Sequence, residues 1–157
     1  MCQDPRVRAL GVDFGVKRIG LAVSDASGTL ARPLDTIDRT RLPHDRAAAA
    51  AVLDRIANID DEPIEVIVVG WPRRLDGSPN DQTPRVEAFA VELRRQTRVP
   101  VVLQDERLSS REAESRLATR EKDWRRRKAQ LDAAAAAVIL QDYLDTRPSS
   151  TLAPEHP

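Results

Sequence analysis

Residues 65–70, Glu-Val-Ile-Val-Val-Gly, form a short, nearly continuous apolar run that limits the fold more than any other segment. A strand with one wet face alternates apolar and polar residues, whereas a strand without alternation is covered on both faces. Such cover comes from helices, so the run predicts a central parallel strand in an α/β sheet. Residues 99–103 predict a second buried strand, ending in Gln104-Asp105-Glu106. Between the two lies a polar loop, residues 71–82, with Pro72, Gly77 and Pro79. A helix follows, with Thr83 as its cap and Pro84 at its first position. Val86, Phe89, Ala90 and Leu93 give it an i, i+3, i+4, i+7 stripe.

The chain opens with strands. Residues 8–14 alternate, with Leu10, Val12 and Phe14 on one face and Ala9, Gly11 and Asp13 on the other. A turn at residues 15–17 leads to a second strand, residues 18–24. Asp25-Ala26-Ser27-Gly28 carries turn chemistry, and residues 30–37 make a third strand that Pro33 confines to an edge or a bulge. Residues 43–57 read as an alanine-rich helix with Leu53, Ile56 and Ala57 on its apolar side. Ser109 and Glu112 form a capping box that starts another helix just after Glu106. Residues 120–128 read as a basic connector containing Trp124, and a last helix runs from about Ala129 to Thr146, stopped by Pro148. The expected order is β-β-β-α-β-α-β-α-α, a mixed five-stranded sheet with a three-strand antiparallel meander, parallel strands beside it, and helices on both faces. Residues 1–147 are expected to be a single domain, and residues 148–157 a disordered tail.

Several function classes are disfavoured by what the chain lacks. Cys2 is the only cysteine, and His44 and His156 are the only histidines. A disulfide framework or thiolate cluster has no material, and a zinc site or a Ser-His-Asp triad would rest on His44. No apolar run is long enough to span a bilayer, and the first residues do not read as a signal peptide. A cytoplasmic location and no membrane partner are the expectation. Formal net charge is zero, which leaves room for a local basic face. Of 25 basic residues only Lys17, Lys122 and Lys128 are lysines; GC-rich codon usage, which also accounts for the alanine runs, is the larger cause, and arginine in addition suits bidentate phosphate contacts.

The acids stand out against this background. Asp13 lies in a central strand, where a carboxylate costs free energy unless a cation or donors compensate it. Gly11 and Gly15 keep side chains away from it, although pairing with Lys17 or Arg18 would also account for an acid at a strand end. Asp105 and Glu106 come where a buried strand ends, the place where sites form in open α/β sheets. Their side chains must point to opposite faces. Asp132 lies in the first turns of the last helix, in line with Ala136, Ile139 and Tyr143 on the stripe facing the sheet. A carboxylate complementing the helix dipole is the plainer account of it. If the three acids converge, a divalent cation relieves their mutual repulsion. Oxygen ligands suit Mg²⁺ or Mn²⁺, and two such ions about 4 Å apart serve phosphodiester hydrolysis without histidine or cysteine.

Four segments together carry a resemblance. They are Asp13-Phe14-Gly15-Val16-Lys17-Arg18-Ile19-Gly20-Leu21-Ala22, Val68-Val69-Gly70-Trp71-Pro72 with Asp76-Gly77, Asp105-Glu106-Arg107-Leu108-Ser109-Ser110, and Asp132-Ala133-Ala134-Ala135-Ala136 leading to Ile139-Leu140. In this order they resemble the YqgF family, also called RuvX-type, described as Holliday junction resolvases and pre-16S rRNA nucleases. The resemblance implies an RNase H-like fold and a divalent-metal site, and it selects Glu106 over Asp105. The implied catalytic and metal-binding residues are Asp13, Glu106 and Asp132. Trp71 and Ser110 depart from the family's usual residues without removing an acid.

Lys17, Arg18, Arg73, Arg74, Arg107, Arg125, Arg126, Arg127 and Lys128 would border such a site and contact phosphates without reading sequence. The expected function is a metal-dependent nuclease processing pre-16S ribosomal RNA ends. Its partners would be structured RNA, with branched DNA and ribosomal precursor particles as further candidates, acting as monomer or homodimer. The alternatives are a junction-resolving DNA endonuclease and a non-catalytic nucleic-acid-binding module of the same fold. A phosphotransferase of the actin and sugar-kinase type also uses an Asp-x-Gly hairpin, but it needs a second related domain, for which 157 residues leave no room.

Overall fold

The computed structural model describes residues 7–59, 63–74, 76–105 and 124–146, the last stretch with side chains from residue 132 onward. Three strands come first, β1 (Ala9–Phe14), β2 (Arg18–Ser24) and β3 (Ala31–Asp38). They are followed by α1 (Asp45–Ala57), β4 (Val66–Trp71), α2 (Thr83–Gln96), β5 (Val101–Asp105) and α3 (Trp124–Thr146). The five strands form one sheet in the order β3-β2-β1-β4-β5. β1 to β3 pair antiparallel as a meander, and β4 lies parallel to both β1 and β5.

The apolar run behaves as its composition requires. Ile67 and Val69 of β4 join a core with Leu10, Val12 and Phe14 on one side of the sheet. Val66 and Val68 join a second core with Ala9 and Ala22 on the other side. Helices α1 and α2 cover the first face through Ala48, Ala49, Val52, Val86, Phe89, Ala90 and Leu93. Helix α3 covers the second through Ala136, Ile139 and Leu140. Pro33 sits on edge strand β3, next to a register shift between Leu21 and Ala22, so both of its permitted settings coincide.

On β1 and β2 the two faces carry residues of different size, Leu10, Val12, Phe14, Ile19, Leu21 and Val23 on one and Ala9, Gly11, Gly20 and Ala22 on the other. A Cβ on Gly11 would come within 2.8 Å of the Ala136 carbonyl oxygen and of Leu140 Cβ. A Cβ on Gly20 would collide with the Asp132 carbonyl. Glycine in a strand often marks such a close backbone approach, and here it seats α3 directly on β1 and β2. Gly20 pairs with Asp13 in the register, and Gly11 lies two residues before Asp13. The order Asp132, Ala136, Leu140 along α3 therefore runs antiparallel to β1.

Some sequence expectations need correction. The last helix starts at Trp124 rather than Ala129. Residues 124–129 hold no glycine or proline, and arginine and lysine are good helix formers, so the basic run belongs to the first turns of α3 and not to a connector. Thr83 does not cap α2 in the expected way. Its hydroxyl donates to the Pro72 carbonyl and its backbone N–H bonds to Asn80 Oδ1, which ties the loop to the helix. In α1 the buried stripe is Ala48, Ala49 and Val52, with Leu53 and Ile56 at its margin and Ala57 exposed. The helix expected after Glu106 and the tail at 148–157 lie outside the described residues.

Candidate active site

Asp13 is the one acid that β1 carries, and strand alternation turns it to the α3 face. Opposite it in the register is Gly20, over which the backbone of Asp132 passes. The packing that needs a glycine at position 20 thus also brings a second carboxylate to the first. The Asp13 carboxyl is pushed up to about 7, first by burial and second by the negative charge of Asp132. Both causes disfavour the ionised form. Asp132 has its own cationic partner, with Arg18 Nε donating to its Oδ2 at 2.7 Å. Both side chains of that pair remain about one-quarter exposed, so the pair lies at the mouth of the site.

Asp105 goes elsewhere. The register aligns Val12 with Val69 and Val69 with Leu103, all on the α1–α2 face. Two residues further along β5, Asp105 shares that face, in register with Trp71. Its Oδ2 lies 3.5 Å from Arg73 Nη1. Trp71 donates from Nε1 to Glu87 Oε2 of α2 at 3.0 Å, and the Arg73 guanidinium lies 4.4 Å from the Trp71 ring centroid. Asp105 therefore belongs to a polar cluster on the far side of the sheet from Asp13. Glu106, the other acid expected at this strand end, lies outside the described residues.

The basic residues divide into three groups. Lys17 is exposed in the turn after β1, and Arg18 opens β2 on Asp132. Arg73 is turned inward, donating to the Gly77 carbonyl, stacking on Trp71 and facing Asp105. Arg74 bonds the Pro79 carbonyl at 3.1 Å. Both follow β4, which runs parallel to β1, so they lie at the Asp13 end of the sheet. The backbone of Arg125, Arg126, Arg127 and Lys128 occupies α3 between about 6 and 10 Å ahead of Asp132 along the axis, at 1.5 Å per residue. Arg107 lies outside the described residues.

The sequence reading overlooked Gly20. A lone glycine inside a strand of Ile, Leu and Val was the available signal. The donor set suits a divalent cation. It consists of carboxylate oxygens, and the Asp13 carboxyl is raised first by burial and second by Asp132, the second of which a bound cation would relieve. Among the described residues no group of three potential ligands occurs; the third expected acid, Glu106, lies outside them. No helix among them is long and apolar enough to cross a membrane.

Comparison with known proteins adds an independent line. Residues 7–146 match the family model of RuvX, described as Holliday junction resolvase. A Geobacillus kaustophilus protein named "Putative pre-16S rRNA nuclease" is 40% identical over 143 residues, covering 90% of this chain and 99% of its own. An Anaeromyxobacter dehalogenans protein of the same name is 45% identical over 141 residues, covering 90% of this chain and 98% of its own. The crystal structure of the fowlpox virus Holliday junction resolvase superposes with a TM-score of 0.52 at 15% identity, covering 89% of this chain and 99% of that one. The shared architecture is the RNase H-like fold.

Proposed function

This chain belongs to the RuvX family, and from that membership and its paired acids we propose that it is a divalent-metal-dependent nuclease acting on pre-16S ribosomal RNA. The observation that carries the chemistry is the Asp13 carboxyl, pushed up to about 7 by burial and by Asp132. A bound cation would relieve the repulsion between the two carboxylates, which is what supports this reading. Asp13, Glu106 and Asp132 are the residues that would hold Mg²⁺ or Mn²⁺. When bound, such ions activate water and stabilise the leaving oxygen of the scissile phosphodiester.

The chain's own groups have separable tasks. Arg18 orients the Asp132 carboxylate through its short, charge-assisted bond. Lys17, exposed beside Asp13, is set to contact a phosphate of the strand being cut, and the basic first turns of α3 extend that contact along the backbone. Residues 1–147 are read as one nuclease domain working in the cytoplasm.

Cleavage of labelled substrates tests the reading. The panel is a precursor ribosomal RNA end, single-stranded RNA and a four-way DNA junction, each with Mn²⁺, Mg²⁺ or EDTA. Metal-dependent cutting of the precursor RNA is expected. Asp13→Asn is expected to lower it by about 10²–10³-fold or more, the scale of losing one preorganised electrostatic group. Cutting of the junction alone would move the assignment to the second reading, a junction resolvase, which the description of the matching family favours. No metal binding and no cutting of any substrate would leave the non-catalytic module.

A further inference from the structure

Arg39 grips the turn that follows Asp13. It opens the 3-10 turn Arg39–Arg41, directly after β3, where Asp38 Oδ1 accepts from Thr40 N–H at 2.9 Å and from the Thr40 hydroxyl at 2.6 Å. From this capped position the guanidinium reaches 24 residues back along the chain. Its Nη1 donates to the Gly15 carbonyl at 2.6 Å and to the Val16 carbonyl at 3.3 Å. Its backbone N–H donates to the Lys17 carbonyl at 2.8 Å. The guanidinium plane also lies 4.0 Å from the centroid of the Phe14 ring. One side chain and its own amide thus engage every residue from 14 to 17, the four that come immediately after Asp13.

The clamp is anchored below as well. Phe14 stacks on Phe89 of α2, with ring centroids 4.1 Å apart and planes 13° from parallel. Stacking of a guanidinium on an aromatic face is favourable, and it fixes the Arg39 plane against the core. Arg39 Nε is buried with no hydrogen-bond partner among the described residues, a cost the fold bears at this place. The turn's own backbone contributes two bonds, from the Gly15 N–H to the Asp13 and Arg18 carbonyls at 3.0 Å, while Val16 is 58% exposed and Lys17 is exposed too.

We propose that Arg39 is a positioning residue for the cation site, clamping residues 14–17 so that Asp13 meets a divalent ion from a fixed direction. The inference rests on the nuclease reading given above. Arg39 lies outside the carboxylate set and touches neither metal nor substrate in this role. It acts through Phe14 and Gly15, one step further back than a group bonded to the ligand itself, whose loss costs roughly 10–100-fold in metal affinity or activity.

The test compares wild type, Arg39→Lys and Arg39→Met. Mn²⁺ affinity is read by water-proton relaxation, and kcat and KM are read on a precursor ribosomal RNA oligonucleotide. The methionine keeps the apolar stem over Phe14 and removes the donors; the lysine keeps charge but not the planar fork. Arg39→Met is expected to raise the Mn²⁺ dissociation constant about 10-fold and to lower kcat, while KM for RNA stays within about a factor of two. Arg39→Lys should fall between wild type and Arg39→Met. A purely structural role would lower the folded fraction and leave the Mn²⁺ affinity of folded protein unchanged. Wild-type Mn²⁺ affinity in both variants, or a loss confined to KM, would overturn the inference alone. If circular dichroism shows Arg39→Met unfolded, Arg39→Lys decides on the same criteria. A wild type that neither binds Mn²⁺ nor cleaves would overturn the nuclease reading and this inference together.

Discussion

Alternate residues of β1 enter two different environments. Leu10, Val12 and Phe14 go to the α1–α2 face, where large side chains such as Phe89 and Leu93 fill a layer between sheet and helices. Ala9, Gly11 and Asp13 go to the α3 face, where small residues bring a helix backbone down onto the strands. The first face removes much apolar surface from water, which stabilises the fold by about 25 cal/mol for each Å². The second gains proximity, because glycines on β1 and β2 admit the α3 backbone. Its close packing carries Asp132 to Asp13 and leaves a carboxyl displaced to about 7. One strand of six residues thus serves stability and chemistry through its two-residue period.

Substitutions can break this comparison at either face. Leu93→Ala on the α1–α2 face should cost about 2–5 kcal/mol in denaturant unfolding, through lost transfer free energy and a residual cavity. Its cleavage rate per folded molecule should stay near wild type. Gly20→Ala on the other face should cost about 1–3 kcal/mol, because a methyl group meets the Asp132 carbonyl and α3 must shift. Here the loss of cleavage should exceed what the folded fraction explains, since the shift separates Asp132 from Asp13. Equal behaviour of these two variants, once corrected for folding, would remove the distinction between the faces.

A further effect concerns pH. The Asp13 carboxyl is raised in the folded state from 3.8 to about 7, so the native protein binds the proton more tightly than the unfolded chain. Stability is then lost as pH rises from near 4 through about 7, by at most about 1.4 kcal/mol per pH unit. The acids Asp25, Asp38 and Asp76 are shifted down by hydrogen bonds, which gives them the opposite sign. The difference between metal-free wild type and Asp13→Asn isolates the one group. Wild type should lose stability relative to the variant over that range. The smallest effect is expected for Lys17→Ala, a weakening of RNA binding with the log–log salt slope reduced by about one. An unchanged slope would take Lys17 out of the phosphate contacts.

Strand assignments were legible because burial on one or two faces leaves a period in the sequence. The uninterrupted Val66–Val69 stretch and the alternation of residues 9–14 are both of this kind. Asp13 was legible as an acid where strand chemistry disfavours one. Arg39 was not, because its contacts span 22 to 25 residues and depend on how β3 returns beside the first turn. Residues 124–128 misled for another reason. A dense run of charge reads as a loop, yet arginine and lysine are compatible with a helix. The choice of Glu106 over Asp105 came from family resemblance. The register gives a physical reason for setting Asp105 aside, since it lies with Trp71 and Arg73 on the opposite face.

On this reading the α3 face around Asp13 is a cation site. Thermal unfolding at about pH 8, with Mn²⁺ titrated into wild type and Asp13→Asn, tests it most directly. Wild type should gain stability with added ion, by about 2.7 kcal/mol at one hundred times the dissociation constant, and Asp13→Asn should gain little. Equal stabilisation of both proteins, or none of wild type, would contradict the claim.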